Sequence, residues 1–199
     1  MKNKIVITGN YYDKHNSRNP LVKIIMGKFH RDLNLLIKKT NSNNLLDIGC
    51  GEGYTSQQIL KENNLKISAV DLDEKMLESA KKIFPEINFS VSSIYKLNFK
   101  NETFDCVVAT EVLEHLDNPE KGIGEAKRVS KKYCIFSVPN EPYWRMANIL
   151  RLSYLKNWGN TPGHLQNWTK LQFKNLLKKN FKKVFVKQST LWNIALCEK

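Results

Sequence analysis

Long apolar runs are missing from this chain. None approaches the roughly 20 consecutive residues that a bilayer-spanning helix requires. The opening Met1-Lys2-Asn3-Lys4 leads only into Ile5-Val6-Ile7, too short an apolar stretch for an export signal. A cytoplasmic location is therefore expected. Cysteine is sparse: Cys50, Cys106, Cys134 and Cys197 form no C-x-x-C pair, and each lies in or beside a strand-like apolar stretch. That argues for reduced, buried thiols and against a disulfide scaffold or a zinc site. Internal repeats and low-complexity segments are also lacking, which argues against a repeat architecture.

Acidic residues are scarce. Nineteen Asp and Glu face 32 Lys and Arg, for a net charge of +13. A basic surface attracts nucleic acid, acidic lipids or anionic substrates. The lysines are nonetheless scattered, and the densest run is Lys178-Lys179-Asn180-Phe181-Lys182-Lys183. A merely solvated basic surface explains them somewhat better. The length of 199 residues and a hydrophobic content of 41% suit one domain with a full core.

The most informative stretch is Leu45-Leu46-Asp47-Ile48-Gly49-Cys50-Gly51-Glu52-Gly53-Tyr54. An apolar strand runs into three alternate glycines, and a helical pattern follows. Glycine permits a sharp turn and close approach of a ligand to the backbone. The helix N-terminus beyond it offers unpaired N–H groups. A dinucleotide fold would show G-x-G-x-x-G; the spacing here is D-x-G-x-G-x-G. A tight strand-to-helix turn with no ligand is the plain alternative.

Further along, strands and helices alternate. Leu21, Ile24, Ile25, Phe29, Leu33, Leu36 and Ile37 recur at helical spacing, with an interruption expected near Gly27. Strands are expected at Leu45–Ile48, Lys66–Val70, Ile87–Val91, Phe104–Ala109 and Tyr133–Val138. Helices are expected at Thr55–Glu62, after an Asp73 cap with Met76, Leu77, Ala80 and Ile83 on one face and a stop before Pro85, and from Pro119 toward Val129. Residues 140–168 read as irregular. A helix opening at Thr169 or Lys170 and two strands, Lys183–Lys187 and Leu191–Cys197, complete the chain. The short link Gln188-Ser189-Thr190 favours an antiparallel pair. Alternating units imply an α/β fold, a parallel sheet covered on both faces.

The D-x-G-x-G-x-G segment resembles motif I of the class I S-adenosylmethionine-dependent methyltransferases, and the likeness extends over roughly Asn44 to Cys197. It implies a three-layer Rossmann-like sandwich: a mostly parallel seven-stranded sheet with an antiparallel final strand. It also implies a domain of residues 44–199, preceded by an N-terminal helical lid over residues 1–43 and carrying a lid-like insertion at about 140–168. The implied cofactor is S-adenosylmethionine. Gly49, Gly51 and Gly53 would form its cradle. Asp47 would hold the loop or meet the amino group through water. Asp71, about twenty residues on, would take the ribose hydroxyls, with helix capping as its alternative. Leu72 would lie against adenine. Where the family often has an adenine-binding Asp, this chain has Ser93, so Ser93 or the backbone of Ile94 would substitute, unless the pair Ser92-Ser93 merely ends a strand. Thr110 and Glu111 would line the pocket near the methyl group, and Tyr11 and Tyr12 would cover its methionine end.

A second chemistry is suggested by E-x-x-E-H at Glu111, Glu114 and His115, then V-P-N, then H-x-x-x-W-T from His164. On a helical turn the first three would share one face. The order resembles ubiquinone-pathway O-methyltransferases and metal-dependent small-RNA 3′-terminal 2′-O-methyltransferases. The latter resemblance implies magnesium or manganese on Glu111, Glu114, His115 and His164. Structural roles, with Glu capping the turn and His bonding backbone, remain open. His115, with Glu111 beside it, is the expected proton acceptor. Tyr143, Trp144, Tyr154, Trp158 and Trp168 mark residues 140–168 as an acceptor pocket or a hydrophobic satellite cluster. Arg145 and Arg151 allow an anionic acceptor. The expected partner is a small molecule; RNA, or a cofactor-binding role without catalysis, is the alternative. Oligomeric state is not legible.

Overall fold

Seven strands assemble into one sheet in the order β3-β2-β1-β4-β5-β7-β6. They are β1 Asn44–Ile48, β2 Lys66–Asp71, β3 Asn88–Val91, β4 Phe104–Thr110, β5 Ser130–Pro139, β6 Lys183–Ser189 and β7 Trp192–Glu198. The computed structural model describes residues 17–152 and 154–199. Tyr11 and Tyr12 lie outside the described residues. All strand pairs are parallel except those of β7, which runs antiparallel to both β5 and β6.

The strands are apolar on both faces because both faces are covered. Alternate residues go to opposite layers. Leu45, Cys106 and Val108 join one core with α1 (Pro20–Lys38), α2 (Tyr54–Glu62) and α3 (Glu74–Ile83). Leu46, Val107 and Ala109 join the other with α4 (Pro119–Val129) and α6 (Lys170–Lys178). The helix starts follow their sequence signals. Asn19, Asp73, Asn118 and Thr169 each accept a first-turn backbone N–H, and Thr169 with Gln172 completes a capping box.

Three expectations change. α1 runs unbroken through Gly27, because buried Met26 and Phe29 on either side outweigh the roughly 1 kcal/mol that glycine costs a helix. Ile83 is exposed, and Phe84 just beyond the helix takes the inward place. The irregular stretch contains a helix, α5 (Tyr143–Leu150). Its buried residue is Asn148, whose Nδ2 donates to Gly159 O at 2.8 Å, so no apolar stripe announced it. Among the described residues no helix is long and apolar enough to cross a membrane.

β1 has β2 on one side and β4 on the other. Chain connections leave in opposite directions at this switch point, opening a crevice at the strands' carboxyl ends. The glycine turn follows β1 and the Glu111–His115 segment follows β4, so both face that crevice.

Candidate active site

The glycine turn is built from backbone bonds. Gly49 N and Cys50 N donate to Val70 O at 2.7 and 3.1 Å, tying the turn to β2. Gly51 N donates to Asp71 Oδ2 at 2.8 Å, and Asp73 N donates to Oδ1 at 3.0 Å. Asp71 thus braces the turn with one bond at each oxygen, while each oxygen keeps a further lone pair toward the cavity. Gly49 has φ +71°, and a Cβ there would collide with Val112. Gly51 has φ +53°, and a Cβ there would meet nothing within 4 Å. The first glycine is demanded by packing, and the second keeps open space over the backbone.

Asp47 lies beneath the turn. It is buried, accepts a hydrogen bond from Ser56 Oγ at 2.6 Å, and leaves Oδ1 without a hydrogen-bond partner. Burial pushes its carboxyl up to about 7; the Ser56 bond works against that and the Asp71 charge adds to it. Burial likewise pushes the Cys50, Cys106, Cys134 and Cys197 thiols up; the last three are buried in the core, and Cys50 is half-buried at the cavity.

A cavity of about 600 Å³ extends from this turn across the sheet edge. Gly49, Gly51, Asp71, Leu72, Ile94, Thr110, Glu111, His115 and His164 line it, as expected of a shared site. Asp47, Gly53, Ser93 and Glu114 do not. Gly53 instead packs at φ +80° against Phe89, where a Cβ would come within 2.8 Å. Ser93 is a turn residue, with Oγ accepting from Tyr95 N at 3.2 Å, and Ser92 lines the cavity in its place.

After β4 the expected helical turn does not begin at Glu111. Glu111 has φ +56° and its N–H donates to Ser137 O at 3.1 Å, and only Leu113–His115 form a 3₁₀ turn. The three side chains therefore do not share one face. Glu114, His115 and His164 instead converge, each presenting one ligand atom within 4.8 Å of the others, and Glu111 stays outside the group. The His164 segment is stitched on by Leu165 N and Gln166 N, which donate to Glu114 O at 2.8 and 3.0 Å. His115 Nδ1 lies 3.0 Å from Gly163 O. A carbonyl only accepts, so Nδ1 carries the proton and the Nε2 of the neutral ring keeps a lone pair.

The far wall is a row of rings. Phe29 meets Trp192 at 5.0 Å, Trp192 meets Trp144 at 5.5 Å, Trp144 stacks on His164 at 6.3 Å, and His164 meets His115 edge-on at 5.0 Å. Phe29 and Trp192 carried no sequence signal for a site, because both read as ordinary core residues. The aromatics of 140–168 divide between the two readings. Trp144 and Tyr154 line the cavity, Trp168 packs on Phe173 in the core, and Tyr143 and Trp158 are exposed. Arg151 lines the cavity. Arg145 does not and sits 3.7 Å from Glu141. Within the lysine run, Lys179 and Lys183 pair with Glu120 and Glu198.

Residues 46–138, which hold the glycine turn, Asp71 and the post-β4 turn, match the methyltransferase domain family. That match takes in just under half of the chain. The chain is 32% identical over 93 residues to norajmaline N-methyltransferase of Rauvolfia serpentina, covering 44% of this chain and 32% of that protein. It is 27% identical over 156 residues to the ubiquinone/menaquinone biosynthesis C-methyltransferase UbiE of Rickettsia felis, covering 70% and 62%. A SAM-dependent methyltransferase from Thermotoga maritima has the same fold, with a TM-score of 0.69 at 17% identity, covering 89% of this chain and 92% of that one. The chain thus spans less than two thirds of the length of these two curated relatives.

Proposed function

We propose that this chain transfers a methyl group from S-adenosylmethionine to an oxygen of a small-molecule acceptor. The carrying observation is the continuous cavity that has the glycine turn and Asp71 at one end and His115 at the other. The residues fit the cofactor: exposed turn backbone at Gly51, a carboxylate with spare lone pairs at Asp71, and the apolar side chains of Leu72 and Ile94. When bound, S-adenosylmethionine supplies a methyl group already activated on a sulfonium. The protein's share is to align acceptor and donor and exclude water. His115 Nε2 would accept the proton of the acceptor oxygen as that oxygen takes the methyl group the bound cofactor would supply. Thr110 and Glu111 border the same end of the cavity. In this reading the helical start of α1 and α5 would act as covering elements, since Leu21, Trp144 and Leu150 line the cavity.

Calorimetric titration with S-adenosylmethionine, with NAD as control, tests the donor. Binding of the methyl donor alone is expected, and absence of that binding would overturn the proposal. An acceptor screen with and without chelator tests the rest.

One observation favours a second reading, a metal-dependent RNA 3′-end 2′-O-methyltransferase: the convergence of Glu114, His115 and His164. One carboxylate and two imidazoles suit manganese better than magnesium, because the oxygen-rich set that included Glu111 does not assemble. The bond from His115 Nδ1 to Gly163 O would orient Nε2 as a ligand. The metal would act as a Lewis acid toward ribose hydroxyls. Turnover on RNA ends that manganese restores after chelation supports this reading; full turnover in chelator removes it.

A further inference from the structure

The mouth of the cavity is apolar and projects outward. Leu21 and Ile24 at the start of α1 are 62% and 69% exposed. Leu150 at the end of α5 is 82% exposed, and Leu21 and Leu150 line the same cavity, so they form two sides of one opening. Leu152, Leu155 and Trp158 continue the surface at 79%, 52% and 80% exposure.

These side chains are held in place. Leu152, Tyr154 and Trp158 have left-handed backbone, with φ of 56°, 56° and 50°. Leu152 N donates to Ile149 O at 2.9 Å, Trp158 N to Leu155 O at 3.1 Å, and Gly159 N to Tyr154 O at 3.0 Å. Gly159 presses so closely on α5 that a Cβ would lie 2.5 Å from Arg145 O. A large apolar residue in that conformation persists only where its surroundings impose it. Here the surroundings impose a turn that points leucine and tryptophan at solvent.

The two segments that carry these residues bear charge of one sign. No Asp or Glu occurs between Asp13 and Asp32, nor between Glu141 and Glu198. Both segments that carry the exposed apolar residues lie within these acid-free stretches. Arg18, Lys23 and Arg151, all exposed, stand among those residues. Leucine and tryptophan that enter the acyl boundary, flanked by cations that meet anionic headgroups, are the two components of interfacial membrane binding. A nucleic acid would use the cations but leave the leucines in water.

We propose that this face, from the first turn of α1 to the Leu150–Trp158 segment, docks on the surface of an anionic lipid bilayer. The cavity mouth then opens onto the membrane, and an apolar acceptor enters without crossing water. The docking itself is independent of the methyl-transfer reading, since it requires neither donor nor acceptor.

Vesicle flotation of the full chain tests it, using phosphatidylcholine alone and phosphatidylcholine with about one third phosphatidylglycerol. Association with the anionic vesicles is expected, with a blue shift of tryptophan emission. About 0.5 M salt should weaken the association without abolishing it, since only the charge component is screened. The Leu150→Ser/Leu152→Ser double variant and Trp158→Ser should each lower partitioning about tenfold, at unchanged melting temperature. Ile83→Ser, exposed at the end of α3, should leave partitioning unchanged. The proposal is overturned by absence of association, by equal partitioning of the leucine and tryptophan variants, or by complete reversal in salt. Self-association that the same variants disrupt, or capture of single-stranded RNA in place of vesicles, would equally overturn it.

Discussion

The glycine turn after β1 and the segment after β5 line the same cavity but are held by different means. The turn is fixed by two backbone bonds to Val70 O and by the Asp71 carboxylate, over a fully buried core. The segment adds to its backbone bonds a network of side chains: Asn148 reaching Gly159, Trp144 Nε1 donating to Thr161 Oγ1 at 3.0 Å, and Arg151 donating to Asn148 Oδ1 at 2.6 Å. Buried backbone geometry tolerates little change. Side-chain bonds on an exposed framework leave that wall of the cavity freer to vary than the turn.

Substitutions should expose that contrast. The largest effect is expected from Gly49→Val, which places a branched side chain at φ +71° against Val112. Donor affinity should fall at least about 100-fold by calorimetry, with a large drop in melting temperature. Gly51→Ala, which meets open space, keeps the fold testable and should weaken donor binding more than it weakens stability.

Next comes the pH dependence of Asp47. Its folded carboxyl titrates near 7 against an ordinary value of 3.8. Between those limits the folded state holds a proton that the unfolded chain has released. The stabilising contribution is therefore complete below about pH 4 and is lost as pH rises through about 7, amounting to roughly 4 kcal/mol. Denaturant titrations from acid to neutral pH should show that slope, and Asp47→Asn should flatten it. Asp32 on α1 behaves oppositely. Burial would raise its carboxyl, but hydrogen bonds from Lys187, Lys28 and Ser189 hold it at about 2. Its contribution is present above about pH 4 and lost as pH falls through about 2. One buried aspartate lacks a cationic partner and the other has two, at 2.7 and 2.8 Å.

At the acceptor end, His115→Ala should lower turnover at saturating substrate about 100-fold while leaving S-adenosylmethionine affinity within about threefold. Retained turnover would remove His115 from proton transfer. The smallest effect is expected from Leu150→Ser, within about 0.5 kcal/mol of parental stability by thermal melting, because its side chain is almost wholly exposed.

The sheet and most of its helices were legible because their signals are local. Apolar runs, the caps at Asp73 and Thr169, and a short final link each act within a few residues. α5 was missed because its inward residue is a hydrogen-bonded asparagine. The metal-ligand pattern was legible only in part. E-x-x-E-H implied one face of a helix, whereas the left-handed backbone at Glu111 breaks that turn and brings in His164 instead. Ser93 carried its family position but not its orientation toward the cavity.

By itself, the sequence determined the donor turn, since glycine at alternate positions after an apolar strand is a requirement of local backbone conformation. Only the tertiary structure decided which side chains complete the cavity. Phe29, His115, Trp144, His164 and Trp192 come from segments far apart in the chain. They meet because the strand order reverses at β1 and β4 and the antiparallel β7 returns its first residue to the same edge. Contacts of that range depend on the closure of the whole sheet, and no local pattern encodes them.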